Sequence, residues 1–128
     1  MTIGGIKMIR GIRGATTITK NEEKEITIKT EQLLTDMIET NNVNAEDVAQ
    51  ILISVTDDIN ASFPAKAIRN IDGWEYVPVM CMREINVPNA LPFCIRVMMT
   101  VNTNLHQKQI NHVYLNEAMK LRPDLLKS

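Results

Sequence analysis

Apolar and polar positions alternate most clearly in residues 93–101, which read FCIRVMMTV. Successive side chains of a strand point to opposite faces, so one face of this segment is wholly apolar and the other carries Arg96, its only charge. The apolar face comprises Ile95, Val97, Met99 and Val101, and the other comprises Cys94, Arg96, Met98 and Thr100. Because an unpaired buried guanidinium is costly, we expect Arg96 to meet a carboxylate, a polar cavity or a ligand anion. The alternative is an edge strand on which Arg96 simply reaches solvent.

Four further segments, residues 8–17, 51–55, 76–82 and 112–115, have the composition of strands. Pro78 cannot donate a ladder hydrogen bond, which favours an edge or first-residue position for the third of these. Gly11 and Gly14 flank Arg13, so the backbone beside that guanidinium can bulge or be approached closely. About five strands are therefore predicted.

Helical spacing replaces alternation in residues 22–40, where the apolar positions are Ile26, Leu33, Leu34, Met37 and Ile38. This pattern predicts an amphipathic helix of about four to five turns. Asn21 is the expected N-cap, and the acidic residues after it suit the positive end of the helix dipole. A short turn is expected after Asn44, and a short helix is expected to begin at Pro64.

One long helix beside five strands predicts an α+β fold, with a mixed five-stranded sheet packed on one long helix plus short helices. Residues 1–128 are expected to form a single domain, of which residues 1–7 are an N-terminal extension. So few helices leave the second face of the sheet uncovered. We therefore expect self-association through strand edges or sheet faces.

The composition of the 128 residues, 45% apolar and 23% charged, is ordinary for a globular protein. The net charge of −1 gives no reason to expect nucleic acid or an anionic membrane as a partner. No apolar run approaches a membrane span and no signal-peptide core is present, so a cytoplasmic location is expected. The six arginines all lie outside the long helix, where they can converge on a small anion: Arg10, Arg13, Arg69, Arg83, Arg96 and Arg122.

The cysteines and histidines show no spacing typical of a metal site. Cys81 and Cys94 lie in apolar surroundings and are expected as small buried residues. His106 and His112 have no suitable companions. We expect neither a metal nor a cofactor.

Several segments together resemble the trimeric, pseudo-α/β-barrel class of monofunctional chorismate mutases. They run in family order over nearly the whole chain: IRGIRGATT at 9–17, FPAKA at 63–67, GW at 73–74, VPV at 77–79, CM at 81–82, CIRVMMTV at 94–101, HVYL at 112–115 and LRPDL at 121–125. The resemblance implies a homotrimer that converts chorismate to prephenate by a concerted [3,3] rearrangement, a step toward phenylalanine and tyrosine. Such a reaction requires no general base, nucleophile, metal or cofactor.

The resemblance also implies roles for individual residues. Arg96 lies beside the ether oxygen of the substrate and stabilises the negative charge that grows there. Arg13 binds a substrate carboxylate with Tyr114 as a hydrogen-bonding partner. Glu84 faces the substrate hydroxyl and the polarised ring. The residues alone leave an alternative for each role: Arg13 as a solvent-facing strand arginine, Glu84 as a loop charge and Tyr114 as a half-buried sheet tyrosine.

The family site lies between subunits, so residues of two segments are expected to complete it. The neighbouring chain lends Phe63, Lys66 and Arg69, and the segment beside the substrate comprises Met80, Cys81, Met82 and Arg83. Cys81 and Glu84 are an odd number of residues apart, so both face one pocket only if the strand ends or bulges between them. A mobile tail, residues 120–128, is expected to close over the ligand with Arg122, whose alternative is a solvated pair with Asp124.

Two positions depart from the family pattern. Met80 stands where threonine is common, and Arg83 stands where glutamine is common. Loss of a hydroxyl beside the substrate removes a hydrogen bond worth about 0.5–1.5 kcal/mol. Neither departure touches the residues that carry the roles above.

Two other functions compete with the mutase. One is a trimeric imine deaminase, which has a comparable sheet-and-helix trimer and an interfacial arginine that binds carboxylates. The other is a catalytically silent trimer that binds an aromatic-pathway metabolite. Turnover of chorismate separates both from the mutase.

Overall fold

The computed structural model describes residues 7–121, which form one sheet, one long helix and four short 3-10 helices. The strands are β1 Met8–Thr17, β2 Val48–Val55, β3 Val79–Arg83, β4 Cys94–Thr103 and β5 Val113–Tyr114, and the helix is α1 Glu23–Thr40. The 3-10 helices span Ala45–Asp47, Pro64–Asn70, Gln107–Gln109 and Asn116–Leu121. The predicted α+β class and the five-stranded sheet are confirmed.

The sheet is mixed and has the order β3-β2-β4-β1-β5. Strand β4 runs antiparallel to both of its neighbours, whereas β3 and β5 lie parallel to β2 and β1 at the two edges. Pro78 immediately precedes the edge strand β3, as its missing N–H predicts. Strand β4 is central, so the edge-strand alternative for Arg96 is wrong.

Helix α1 covers one face of this sheet. The buried core joins apolar residues of the helix to the inward-facing residues of the strands: Ile26, Leu33, Leu34, Met37, Ile12, Ile51, Ile53, Ile95, Val97 and Met99. Gly14 lets the helix approach β1, since a Cβ at that position would lie 2.4 Å from the Met37 sulfur and 3.0 Å from Leu33 Cδ1.

The start of α1 differs from the prediction. Glu22, not Asn21, is the residue that precedes the first helical turn, and its side chain makes no cap hydrogen bond. Asn21 instead accepts hydrogen bonds from the backbone N–H groups of Asn60 and Ala61, and so joins two loops. Glu25 in the first turn instead reaches back as a capping-box glutamate does: its carboxylate accepts hydrogen bonds from the backbone N–H groups of Thr19 and Lys20, which precede the helix.

Strand β3 is shorter at its start than the predicted segment 76–82. Residues before Val79 form turns, in which Trp74 donates to the carbonyl of Ile71 and Val77 to that of Trp74. The predicted N-terminal extension, residues 1–7, lies outside the described residues except for Lys7. The predicted tail at residues 120–128 lies outside them beyond Leu121.

Among residues 7–121, no long helix covers the second face of the sheet, which we call the open face. Arg96 and Met98 on β4 are exposed there, with Ile9 on β1 and Met80 on the edge strand 69% and 63% exposed. Alternation in β4 therefore separates a buried apolar face from an exposed mixed one. The candidate site lies on this open face.

Candidate active site

A cleft of about 400 Å³ lies on the open face, within the size range of ligand pockets. Its lining combines two arginines with hydroxyl and apolar side chains: Arg13, Gly14, Ala15, Leu52, Ser54, Met82, Arg96, Val97, Met98, Tyr114 and Leu121. Four of the predicted site residues, Arg13, Met82, Arg96 and Tyr114, are thus brought together.

Strand register creates this grouping. In the sheet, Arg96 on β4 lies between Ser54 on β2 and Ala15 on β1. Ala15 is in turn the neighbour of Tyr114 on β5, and Arg13 lies opposite Met98. Directly paired residues share a face of the sheet, so residues far apart in sequence line one cleft.

Arg96 has a carboxylate beside it, one of the three surroundings expected for this guanidinium. Its Nε lies 3.7 Å from Oε1 of Glu84, and the two side chains are 46% and 26% exposed. The same Glu84 oxygen accepts a hydrogen bond of 2.5 Å from the hydroxyl of Ser54. The Arg96 guanidinium is therefore partly exposed, has a carboxylate near it and faces the cleft.

The thiol of Cys94 lies close to Arg96 at the start of β4. Burial raises the pKa of this thiol, and the neighbouring guanidinium only partly offsets the shift. Cys94 is 1% exposed, which confirms the expected core position. It is therefore a neutral packing residue beside the site.

Arg13 is held through its backbone. Its N–H donates to Nδ1 of His112 at 2.9 Å, where β1 meets the segment that leads into β5. The side chain of Arg13 is left on the exposed face. Leu115 continues the pairing by donating to the carbonyl of Ala15, and Tyr114 is thereby fixed at the rim of the cleft.

A second cavity of about 480 Å³ lies beyond the edge strand β3. Its lining includes four of the remaining predicted residues and the short helix that begins at Pro64: Val55, Ile59, Asn60, Ala61, Ser62, Phe63, Pro64, Lys66, Cys81, Met82 and Arg83. Phe63 is 70% exposed there. Met82 lines both cavities, because it stands on the edge strand between them.

The charged residues of the second cavity have partners within the chain. Lys66 lies 2.5 Å from Glu23, and Arg83 lies 2.8 Å from Asp57. The hydrogen bonds of Glu23 with Lys66 and Ser62, and the charge of Lys66, lower the pKa of that carboxyl. Burial raises the pKa of Cys81, although the backbone N–H of Ala65 donates to its sulfur.

Cys81 and Glu84 do not share a cavity within one chain. Strand β3 stays regular from Val79 to Arg83, and its ladder continues with a bond from Glu84 N–H to the carbonyl of Val55. No bulge therefore brings the two side chains to one face, and Cys81 faces the short helix while Glu84 faces Arg96. Met80 and Arg69 are exposed and lie outside both sets of lining residues. Glu84 also lies outside both sets, and it lines a neighbouring cavity with Thr56 and Asp58.

Several residues of the first cleft were not predicted as site residues. Leu52 and Ser54 alternate with buried isoleucines on β2, so period-2 analysis places them on the open face. Their closeness to Arg96 depends on strand register, which a local pattern does not specify. Leu121 belongs to a segment that resembles the family, but no local pattern marks it as a site residue.

Within residues 7–121, no group of three or more His, Cys, Asp or Glu side chains is arranged to hold a metal ion. No helix in the same part of the chain is long and apolar enough to cross a membrane.

The family model for type I chorismate mutases matches residues 9–125. The Bacillus subtilis chorismate mutase AroH is 58% identical over 118 residues, covering 92% of this chain and 93% of that protein. The chorismate mutase AroH of Thermus thermophilus is 44% identical over 119 residues, covering 92% of this chain and 97% of that protein. These comparisons give no support to the imine deaminase.

The solved structure of a chorismate mutase from Clostridium thermocellum superposes on this one with a TM-score of 0.84. The two are 49% identical, and the match covers 87% of this chain and 98% of the other. Fold, sequence and the arginine-lined cleft agree, and the resemblance seen in the sequence is confirmed: this chain belongs to the type I chorismate mutase family.

Proposed function

We propose that this protein is a chorismate mutase that rearranges chorismate to prephenate in aromatic amino acid biosynthesis. The observation that carries the proposal is the exposed guanidinium of Arg96 on the central strand. It faces a cleft that it shares with Arg13 and has the Glu84 carboxylate at 3.7 Å.

The reaction breaks one C–O bond while one C–C bond forms within the same molecule. Chorismate is a dicarboxylate whose reacting ends must be held in a compact conformer, so binding must supply orientation. A rate acceleration of about 10⁶ requires about 8 kcal/mol of transition-state stabilisation. This stabilisation must come both from groups that position the substrate and from groups that stabilise the charge that develops in the transition state.

Arg96 is the group that stabilises the negative charge developing in the transition state. As the C–O bond breaks, negative charge grows on the ether oxygen, and a guanidinium N–H beside it becomes a stronger donor in the transition state than in the ground state. One oxyanion donor contributes roughly 3–4 kcal/mol, and a charged donor contributes more where water is excluded. The cleft leaves Arg96 pointing toward the space that a ligand would fill.

Arg13, Tyr114 and Glu84 are the positioning groups. A guanidinium suits a carboxylate because its planar fork binds in a bidentate way, so Arg13 takes a substrate carboxylate. Tyr114 lines the same cleft and can donate its phenolic O–H to that carboxylate. Glu84 is oriented by Ser54 and accepts the hydroxyl of the substrate.

The second cavity supplies the other half of a site completed by a neighbouring copy. It holds Phe63, Lys66 and Cys81, which lie across the edge strand from Arg96 in the same chain. Our proposal is a homotrimer in which the open sheet face of one chain meets this cavity of the next. In that arrangement Cys81 belongs with the lent residues, and Arg69 and Met80 lie at the junction.

The first experiment measures chorismate loss and prephenate formation with purified protein in the presence of a metal chelator. Conversion with a homotrimeric mass supports the proposal. Binding of chorismate by a folded protein without turnover would favour the silent trimer, and imine hydrolysis would favour the deaminase. Cell fractionation would test the proposed cytoplasmic location.

The shared site is tested by mixing two variants, Arg96→Ala and Lys66→Ala, each with low activity alone. Hybrid trimers contain interfaces at which one chain supplies the intact Arg96 half and its neighbour the intact Lys66 half. Recovery of a fraction of wild-type activity after co-expression supports an interfacial site. Activity no higher than the mean of the two variants would place each site within a single chain.

A further inference from the structure

We propose that Ser54 is a positioning residue that fixes the Glu84 carboxylate beside Arg96, an inference that rests on the proposed mutase function. The hydroxyl of Ser54 donates to Oε1 of Glu84 at 2.5 Å. The same Oε1 is the atom that lies 3.7 Å from Arg96 Nε. One carboxylate oxygen therefore links the serine to the guanidinium.

The sheet fixes the backbone of both Ser54 and Glu84. Ser54 lies directly between Arg96 on β4 and Met82 on β3. Glu84 follows β3, and its backbone N–H donates to the carbonyl of Val55 at 2.8 Å. The short side chain of Ser54, on the interior strand β2, thus donates to a carboxylate whose backbone is already fixed, so the Glu84 side chain retains little freedom.

The chemistry of the cleft explains why a hydroxyl matters there. Apart from Arg96, the side chains next to Ser54 on this face are Leu52, Met82 and Met98, which are apolar and offer no donor to a carboxylate. The distance of 3.7 Å between Glu84 and Arg96 Nε exceeds that of a hydrogen bond. The Ser54 hydroxyl therefore holds Oε1 of Glu84 in a hydrogen bond of its own. The N–H groups of Arg96 are left available to the ether oxygen of the substrate.

Without the hydroxyl, Glu84 is free to close on Arg96 and compete with the transition state for its donors. The Ser54→Ala variant should therefore lower kcat roughly tenfold or more, since a hydrogen bond to a charged group is involved. KM should change less, because Arg13 and Tyr114 still bind the substrate. Ser54→Thr retains a hydroxyl on a strand position and should keep most of the activity.

A double-mutant cycle separates positioning from a general structural effect. Glu84→Gln alone should lower kcat, and adding Ser54→Ala to that background should cost nothing further. The matched control is Thr19→Val, which removes another hydroxyl bonded to a glutamate, Glu25, at the start of α1. It should leave kcat unchanged.

Normal kcat in Ser54→Ala, or the same tenfold loss in the Glu84→Gln background, would overturn the inference. A wild-type protein that does not convert chorismate would overturn the proposed function instead. The role of Ser54 is then decided by the NMR signal of Arg96 Nε–H in the free protein. A shift of that signal in Ser54→Ala and not in Thr19→Val supports positioning, and an unchanged signal refutes it.

Discussion

The Glu84 carboxylate lies 3.7 Å from the Arg96 guanidinium although strand β2 runs between the strands that place them. Arg96 is on the central strand β4, and Glu84 follows the edge strand β3. Both side chains project from the open face, so the pair crosses β2 above Ser54. This relationship places a negative charge beside the guanidinium that faces the cleft.

Arg96→Ala should reduce kcat by about a thousandfold or more, because it removes the only donor assigned to the charge on the ether oxygen. The side chain is 46% exposed, so folding and assembly should persist. Steady-state kinetics and a thermal melt check both statements. Arg10→Ala is a suitable control, since that arginine donates to the carbonyl of Leu105 and should affect stability more than turnover. Near-normal turnover of Arg96→Ala would contradict the electrostatic mechanism.

Tyr114→Phe should raise KM more than it lowers kcat, because the phenol contributes to carboxylate binding in both the ground state and the transition state. The loss should be about three- to tenfold in kcat/KM, corresponding to one hydrogen bond. A large fall in kcat at constant KM would show that the hydroxyl acts on the reacting bond instead.

His112→Gln should weaken substrate binding, whereas His112→Asn should be close to wild type. Nδ1 of His112 accepts the backbone N–H of Arg13 at 2.9 Å, and the amide oxygen of asparagine is the closer match to that nitrogen. Without this acceptor, the backbone of β1 is less firmly held at Arg13, the residue proposed to bind a substrate carboxylate. KM for chorismate measures the effect, and equal values for the two variants would refute it.

Gly14→Ala should destabilise the protein by about 1–3 kcal/mol, the usual cost of overpacking a core. The added Cβ would lie 2.4 Å from the sulfur of Met37 and 3.0 Å from Leu33 Cδ1, and both side chains are fully buried. Gly11→Ala is the matched control on the same strand. Its Cβ would meet only the sulfur of Met98 at 3.0 Å, which is 37% exposed and can move aside. Denaturant unfolding measures the free energy of unfolding of both variants. Equal values for Gly14→Ala and Gly11→Ala would contradict this prediction.

Glu25→Gln should cost roughly 1 kcal/mol of stability near neutral pH, the typical value of a capping interaction. The backbone N–H of Thr19 is the main cause that lowers the pKa of Glu25 from its ordinary value of 4.5. A lowered folded-state pKa means that the stabilisation is complete above the unfolded-state value and is lost as the pH falls through the folded-state value. The difference in unfolding free energy between variant and wild type should therefore shrink below about pH 4.5. A constant difference at about pH 7 and about pH 2 would refute the capping role.

Alternation and helical spacing were sufficient to predict five strands, the long helix and the class of the fold. They succeeded in β4 because its buried face is uniformly apolar, and at Pro78 because a missing N–H excludes a central position. The N-cap was wrong because Asn21 has a tertiary partner, the loop at Asn60 and Ala61, that no local pattern reveals.

The site was only partly predictable for the same reason. The sequence by itself determined that Arg96 is an unusual charge in an apolar strand, and its resemblance to one enzyme family assigned roles to Arg13, Glu84 and Tyr114. Only the tertiary structure decided that Ser54 meets Glu84 and that Cys81 faces a different cavity. Periodicity depends on neighbours along the chain, whereas register and the side of an edge strand depend on pairing between segments that are far apart in the sequence.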